Sequence, residues 1–277
     1  MTVRPSRAVV HLSDLHFGRE DRRVVSALVD EIARLVPDLV AVSGDLTQRA
    51  RRAQFARARD FLDALPFPRL VVPGNHDVPL FNLVARLLDP LGGYRRAITT
   101  ELQPVFIDDM LVVVGMDTTK PLRWKAGRIP IAELDRLRSV LRDAREDAIK
   151  IFVGHHPFDL DDEDAQSAAD GAAVNTSKPE RALEALTRAG IDAFLTGHLH
   201  VSYTGHTAHR YKIAGRSAIV VEAGTATSTR LRENANAFNV LRIERDDITV
   251  ERREWHGSGF AVTDSQSFRR SDAGWTV

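Results

Sequence analysis

Residues 8–17 read Ala-Val-Val-His-Leu-Ser-Asp-Leu-His-Phe, an apolar run that closes in Ser13-Asp14-Leu15-His16. The same arrangement, a short run rich in Val, Ile and Leu followed by polar residues, recurs to about residue 200. Short apolar runs bounded by turn residues are typical of buried strands rather than amphipathic helices. The predicted strands are Ala8–Leu12, Leu39–Val42, Leu70–Val72, Leu111–Val114, Ile149–Val153 and Ile191–Leu195.

Segments with helical periodicity lie between these runs. In the first of them, Val25, Leu28 and Ile32 fall on one stripe, and Pro37 ends the pattern. The predicted helices are Val24–Val36, Gln54–Leu65, Ile131–Ala144 and Lys178–Ala189. Strands that alternate with helices predict an α/β layered architecture.

The pattern becomes strand-like after residue 200. We expect mainly antiparallel strands that complete a second sheet, at Tyr203–Thr207, Ala218–Glu222, Phe238–Ile243 and Ile248–Trp255. Residues 257–277 are polar and weakly patterned, which predicts a loosely held tail. The expected organisation is a single domain over residues 1–256 and a C-terminal tail over 257–277.

Composition narrows the function classes. Lys plus Arg and Asp plus Glu number 38 each, so the formal net charge is zero and no nucleic-acid partner is expected. The chain has no cysteine, which excludes disulfides, thiolate metal sites and a cysteine nucleophile. No apolar run is long enough for a signal peptide or a membrane span, so we expect a cytoplasmic protein without a membrane partner.

The residues that close the apolar runs are metal-ligand types. Carboxyl ends of neighbouring parallel strands converge on one crevice, and residues two apart in an extended segment point the same way. Two carboxylates, one amide and four imidazoles suit Mn, Fe, Zn or Co. Seven ligands exceed one tetrahedral site and fit two metals that share a carboxylate. The candidate ligands are Asp14, His16, Asp45, Asn75, His155, His198 and His200.

Each of these elements alone occurs by chance, and a lone histidine is more often an ordinary core or surface residue. The ordered set is more specific: Asp-x-His, Gly-Asp, Gly-Asn-His-Asp, Gly-His and Gly-His-x-His each close an apolar run. This set resembles the calcineurin-like metallophosphoesterase superfamily over about residues 8–225. The local text His11–Phe17 is most similar to the bacterial class III cyclic-nucleotide and glycerophosphodiester phosphodiesterases.

The resemblance implies a four-layer αββα sandwich of two mixed sheets flanked by helices, with two divalent metals at one edge of the sheets. It also implies an assignment of ligands. Asp14, His16 and His200 would hold one metal, Asn75, His155 and His198 the other, and Asp45 would bridge them. For the adjacent pair His155-His156, the resemblance favours His155 as the ligand and leaves His156 beside it.

We expect a hydroxide that bridges the metals, held about 3.5–4 Å apart, to attack phosphorus in line. His76 follows the candidate ligand Asn75 and is the candidate catalytic residue, which is expected to contact the phosphate and to stabilise or protonate the leaving oxygen. Asp77 either orients His76 or caps the loop, and the sequence leaves both roles open. Arg19, Arg230 and Arg232 are weaker candidates for phosphate contact.

The leading functional hypothesis is a phosphodiesterase that hydrolyses cyclic nucleotides or other small phosphodiesters. The alternative enzyme is a phosphomonoesterase or a nucleotide pyrophosphohydrolase. A non-catalytic scaffold, such as the retromer subunit with this fold, is less consistent with a complete ligand set. The expected partner is a small phosphoester substrate. Related enzymes often dimerise, so a homodimer is expected as well, with the acidic loop Asp159–Ser177 as a candidate contact or lid.

Overall fold

The computed structural model describes residues 6–121, 131–158, 179–200, 202–207, 217–229 and 235–277. The helices are α1 Arg22–Leu35, α2 Arg52–Asp63, α3 Leu83–Leu88, α4 Gly92–Ala97, α5 Ile131–Asp143 and α6 Pro179–Arg188, with a 3-10 turn at Asn75–Asp77. The strands are β1 Arg7–Leu12, β2 Leu39–Ser43, β3 Arg69–Val72, β4 Val105–Ile107, β5 Leu111–Gly115, β6 Ile149–Val153, β7 Ala193–Thr196, β8 Tyr203–His206, β9 Ile219–Glu222, β10 Ala237–Ile243, β11 Asp247–Trp255, β12 Phe260–Ser271 and β13 Gly274–Thr276.

The strands form two mixed sheets. One has the order β13-β12-β11-β10-β1-β2-β3, and the other has the order β4-β5-β6-β7-β9-β8. Strands β1, β2 and β3 are parallel, as are β5, β6, β7 and β9, while β10 runs antiparallel to β1. The ends of both parallel sets therefore face one edge of the molecule.

Alternation of side chains along each strand builds three apolar layers. Val9 and Ala41 belong to the cluster between the two sheets, together with Ile151 and Val221 of the opposite sheet. The next residue in β1, Val10, points the other way, into a cluster with residues of α1, α2 and α4. A third cluster packs α5 and α6 on the second sheet. This order of layers is the predicted αββα sandwich.

Every predicted strand and helix of the first two hundred residues is present, with ends shifted by a few residues. Strand β4 and helices α3 and α4 were not predicted, because each is short. None of the helices in the described part of the chain is long and apolar enough to cross a membrane. The predicted loop Asp159–Ser177 lies outside the described residues.

Two predictions for the C-terminal region were wrong. Strands β10 and β11 join the first sheet beside β1, and β9 pairs in parallel with β7, so these strands do not complete the second sheet together. Burial on both faces of β10 reflects this central position.

The predicted loose tail is also wrong, since residues 260–276 form β12 and β13 of the first sheet. Most side chains of β12 are exposed, so the hydrophobic pattern is weak and the backbone ladder to β11 holds the strand. Trp275 is fully buried, and its indole N–H donates to Asp192 Oδ1 at 2.9 Å. The tail thus fastens one sheet to the other.

We predict that Trp275→Ala lowers the free energy of unfolding by about 3–5 kcal/mol, because it removes a buried indole and leaves Asp192 without this donor. Denaturant unfolding followed by circular dichroism measures the change. Val277→Ala, at a residue 75% exposed, is the matched control and should have an effect below about 0.5 kcal/mol. A loss below about 1 kcal/mol for Trp275→Ala would mean that the tail is loosely held.

Candidate metal centre

The loops after β1 and β2 run side by side at the edge where the parallel strands end. The backbone N–H of Asp14 donates to Gly44 O at 3.2 Å, and that of His16 donates to Asp45 O at 2.9 Å. Gly44 has φ +91, and a Cβ on it would lie 2.9 Å from Gly74 Cα. The glycine therefore permits both the turn and the approach of the loop after β3.

Three of the predicted ligands meet beside the end of β1. His16 Nε2 and His200 Nε2 are 3.1 Å apart. Asp14 Oδ1 lies 3.4 Å from His16 Nε2 and 3.2 Å from His200 Nε2. Side chains from the two sheets thus converge on one point.

Three others meet beside the ends of β3 and β6. Asn75 Oδ1 lies 3.0 Å from His155 Nε2 and 3.0 Å from His198 Nδ1. The two imidazole nitrogens are 3.1 Å apart. This second group has the same compact geometry as the first and again combines both sheets.

Asp45 lies between the two groups. Its Oδ1 is 3.4 Å from His155 Nε2, and its Oδ2 is 3.7 Å from His16 Nε2. The backbone N–H of His76 donates to Oδ1 at 2.8 Å and fixes the carboxylate. Each oxygen therefore faces a different group, which is the arrangement that a bridging ligand requires.

These distances fit metal coordination. Ligand atoms about 2.1 Å from one ion and at right angles to each other are about 3 Å apart. Asp14 Oδ1 is buried and accepts no hydrogen bond from the residues that the structure describes, whereas Oδ2 accepts from Ser13 Oγ and from the backbone N–H of His198. One oxygen is held and the other is left for a cation. Oxygen and imidazole donors together suit Mn, Fe, Zn or Co.

His155 and His198 are in the neutral form that metals bind. Burial lowers the pKa of His155 to about 4, and it lowers the pKa of His198 well below its usual range. His155 Nδ1 donates to Ser43 O at 2.8 Å, which leaves the lone pair on Nε2. The pKa of Asp14 falls well below its usual range, because His200 and His16 outweigh the raising effect of burial.

The adjacent histidines His155 and His156 differ in their surroundings. His155 Nε2 contacts Asn75 and Asp45, as a ligand of the second group would. His156 is also buried, and its Nδ1 lies 2.8 Å from Thr118 Oγ1. Its ring packs 4.8 Å from that of His198, and its buried Nε2 has no hydrogen-bond partner among the described residues, so His155, His156 and His198 also form a cluster of possible ligand atoms.

His76 stands beside the first group, and one of its ring nitrogens lies within 4.8 Å of possible ligand atoms of His16 and Asp45. Its Nδ1 lies 2.9 Å from Gln48 O, to which it donates, and its ring packs edge-on against His16 at 4.8 Å. Arg49 Nη1 is 3.4 Å from the same Nδ1. The ring orientation is therefore set by the loop after β2.

Asp77 caps the loop. Its carboxylate accepts from the backbone N–H groups of Leu46, Thr47 and Gly74 and from Thr47 Oγ1, at 2.9–3.1 Å. Burial raises the pKa of Asp77 to about 6, against the lowering effect of these hydrogen bonds. Of the two roles that the sequence left open, the structure shows the cap. Gln48 O orients His76 instead.

Residues that brace the site were missed from the sequence. Thr225 Oγ1 donates to Asp14 O and Thr227 Oγ1 donates to Leu15 O, both at 2.7 Å. Gln48 and Arg49 lie three and four residues after Asp45, and this proximity to a candidate ligand was the available signal. Of the weaker candidates, Arg19 is exposed near the site, whereas Arg230 and Arg232 lie outside the described residues.

The candidate ligands also carry backbone strain. Seven non-glycine residues of the described chain have positive φ, and five of them are candidate ligands. They are Asp14, His16, Asp45, His198 and His200, with φ between 48 and 76. Left-handed backbone costs about 1 kcal/mol or more for a residue with a Cβ, and such strain clusters at functional sites.

Comparisons with known proteins agree with this geometry. Residues 8–202 match the calcineurin-like phosphoesterase family. A cAMP/cGMP dual specificity phosphodiesterase of Mycobacterium tuberculosis is 27% identical over 269 residues, which are 88% of this chain and 78% of that protein. Glycerophosphodiester phosphodiesterase GpdQ of Enterobacter lignolyticus is 29% identical over 174 residues, 55% of this chain, and the match spans only 58% of that enzyme.

Solved structures support the fold alone, since their sequence identities are low. A purple acid phosphatase from yellow lupin (Lupinus luteus) seeds superposes with a TM-score of 0.71 at 14% identity, over 96% of this chain and 54% of its own. PhoD superposes with a TM-score of 0.72 at 12% identity, over 98% of this chain and 71% of its own. The sandwich is therefore a metallophosphoesterase fold.

The φ of His200 is 59, and this backbone strain predicts that glycine is more stable than alanine at this position, the reverse of the order inside a helix. In metal-free protein, His200→Gly should be more stable to denaturant than His200→Ala by about 1 kcal/mol, because glycine alone adopts this φ without cost. Asp60→Gly and Asp60→Ala, at an exposed position inside α2, form the control pair, and there alanine should be the more stable by about 1 kcal/mol. If the alanine variant is the more stable at both positions, the backbone of His200 is not strained.

Proposed function

Because this chain belongs to the calcineurin-like phosphoesterase family, and so is a phosphoester hydrolase, we propose that it cleaves small phosphodiesters with two divalent metal ions. The position of Asp45 carries the proposal. One carboxylate places its two oxygens toward two separate groups of ligand atoms, each drawn from both sheets. Asp14, His16 and His200 would hold one ion, and Asn75, His155 and His198 would hold the other.

When bound, the ions would supply Lewis acidity that neutralises phosphate oxygens and lowers the pKa of the attacking water toward neutrality. The protein itself supplies the positioning of the donor atoms. The buried ligands and their backbone partners hold the donor atoms in place before substrate arrives, so little reorganisation is needed during the reaction. A donor set of carboxylate, amide and imidazole groups accepts Mn, Fe, Zn or Co.

We assign His76 to the leaving oxygen. Protonation of that oxygen requires the imidazolium form of His76, in which Nδ1 donates to Gln48 O and Nε2 carries the proton for the leaving oxygen. His76 is partly exposed, whereas the neighbouring Asn75 and Asp77 are buried, and this gives its ring access to a phosphate that approaches from solvent. A proton given to the departing alkoxide at this stage is worth about 10²–10⁴ in rate.

The preference for diesters rests on the relatives. Both curated proteins compared above are named as phosphodiesterases, one for cyclic nucleotides and one for glycerophosphodiesters. Identities below 30% leave the substrate open, so the phosphomonoesterase and pyrophosphohydrolase alternatives are outcomes of the test.

We predict that Mn-loaded protein binds about two Mn per chain and prefers diesters. Its kcat/KM for bis-p-nitrophenyl phosphate, 3′,5′-cyclic AMP or glycerophosphocholine should exceed that for p-nitrophenyl phosphate by at least about tenfold, or about 1.4 kcal/mol. Atomic absorption and steady-state kinetics are the measurements. Asp45→Asn is the control that should lose turnover on every substrate. A preference for the monoester would overturn the diesterase proposal, and less than one Mn per chain would favour a scaffold.

We predict that His76→Ala retains both metals but lowers kcat on alkyl diesters by about 10²–10⁴, because an alkoxide needs protonation as it leaves. The loss should be smaller on bis-p-nitrophenyl phosphate, whose phenolate leaves readily without a proton. His256→Ala, at an exposed histidine, is the matched control with unchanged kinetics. If His76→Ala slows both substrates equally, His76 does not protonate the leaving oxygen.

A further inference from the structure

We propose that a recess rich in arginine next to His76 binds a second anionic group, a phosphate or carboxylate, carried by one substituent of the diester. The inference rests on the proposed function and names the substrate class more closely. The recess encloses about 480 Å³. It is lined by Gly18, Arg19, Gln48, Arg49, Arg51 and Gln54, and is called the arginine recess below.

Charge is the first observation. Three of the six lining residues are arginines and none is acidic. Arg19 and Arg51 are exposed, and neither forms an ion pair with any residue that the structure describes. Glu20, the carboxylate next to Arg19, is occupied by Arg57 and by the backbone N–H of Gly18. The recess therefore keeps an uncompensated positive charge, although the chain as a whole has none.

Continuity with the catalytic centre is the second observation. Gln48 and Arg49 line the arginine recess and also contact His76, through Gln48 O at 2.9 Å and Arg49 Nη1 at 3.4 Å from its Nδ1. The recess thus lies on the side where His76 meets the leaving group. A substituent that departs past His76 would carry any further anion toward the arginines.

Hydrogen bonds fix the position of Gln54, which lines the floor of the recess. Gln54 is 7% exposed, and its Oε1 accepts from the backbone N–H of Arg49 at 2.9 Å and of Arg51 at 3.3 Å. Its amide nitrogen is thereby turned toward Gly18, where an added Cβ would lie 2.1 Å from Gln54 Nε2. Gly18 has φ +111 as well. The loop after β1 and the start of α2 are locked together with an amide donor between them.

A solvated basic surface would not need this construction. Exposed arginines that only aid solubility carry no preference for a particular ligand, whereas guanidinium groups around a fixed recess recognise phosphate or carboxylate by directed hydrogen bonds. A single additional anion held in this way should strengthen binding by about tenfold or more, and salt should weaken the effect because the arginines are exposed.

Two nucleotide probes test the proposal by binding, without turnover. Isothermal titration of Mn-loaded protein should show that thymidine 3′,5′-bisphosphate binds at least about tenfold more tightly than thymidine 5′-monophosphate at low ionic strength. The double variant Arg19→Gln/Arg51→Gln should lose this preference. Arg52→Gln removes the same kind of charge from an exposed neighbour outside the recess, and it should keep the preference.

A kinetic arm separates this inference from the proposed function. Thymidine 5′-(methyl phosphate), from which the nucleoside can depart past His76, is compared with the same ester bearing a 3′-phosphate, and the added phosphate should lower KM in the wild type but not in the double variant. If neither ester is hydrolysed, the proposed function fails while the titration still decides on the recess. Equal affinity for both probes, a preference that survives in the double variant, or an equal loss in Arg52→Gln would overturn the arginine recess as an anion site.

Discussion

The rest of the structure depends on the burial of two carboxylates, those of Asp14 and Asp45, which are 0% and 1% exposed. Burial of ionised groups is unfavourable by several kcal/mol each unless a cation or a metal compensates. The neighbouring imidazoles compensate only in part: His200 and His16 lower the pKa of Asp14, whereas burial keeps the pKa of His155 and of His198 low. The atoms around the two carboxylates offer lone pairs, and such a set of donors favours the binding of metal ions, which would compensate the remaining cost of burial.

Both groups of ligands cross from one sheet to the other, so the site depends on how the sheets pack. Asp14 and His16 follow β1 of the first sheet, while their partner His200 follows β7 of the second. The distances of about 3.0–3.4 Å between ligand atoms therefore depend on the separation of the two sheets. Val9, Ala41, Ile151 and Val221 set that separation. A cavity in this middle layer would change the distances between the ligand atoms, although the side chains of the layer do not contact the candidate metal centre.

Sequence predicted the parts of the molecule that rest on local pattern. Apolar runs closed by Asp14, Asp45 or His155 identify both strand and ligand, because parallel strands end at a common edge. Features that depend on the path of a loop could not be predicted from the sequence: the choice between the two roles of Asp77, Gln48 O as the partner of His76, and left-handed backbone at the ligands. The last strands failed for another reason, since Trp275 is buried by a distant residue, Asp192. The homodimer and the cytoplasmic location stay predictions.

The hydroxyl groups of Thr225 and Thr227 hold the loop that contains Asp14, more than two hundred residues earlier in the chain. On the ribosome, the first ligands therefore emerge long before the threonines that hold their loop. Strand β1 likewise emerges long before β10, the strand with which it pairs. Of the candidate ligands, a newly made N-terminal half has Asp14, His16, Asp45 and Asn75, with a single imidazole among them, but no preformed site. We therefore expect metal capture only after translation has passed residue 243, which couples the loading of the enzyme to the pairing of β1 with β10.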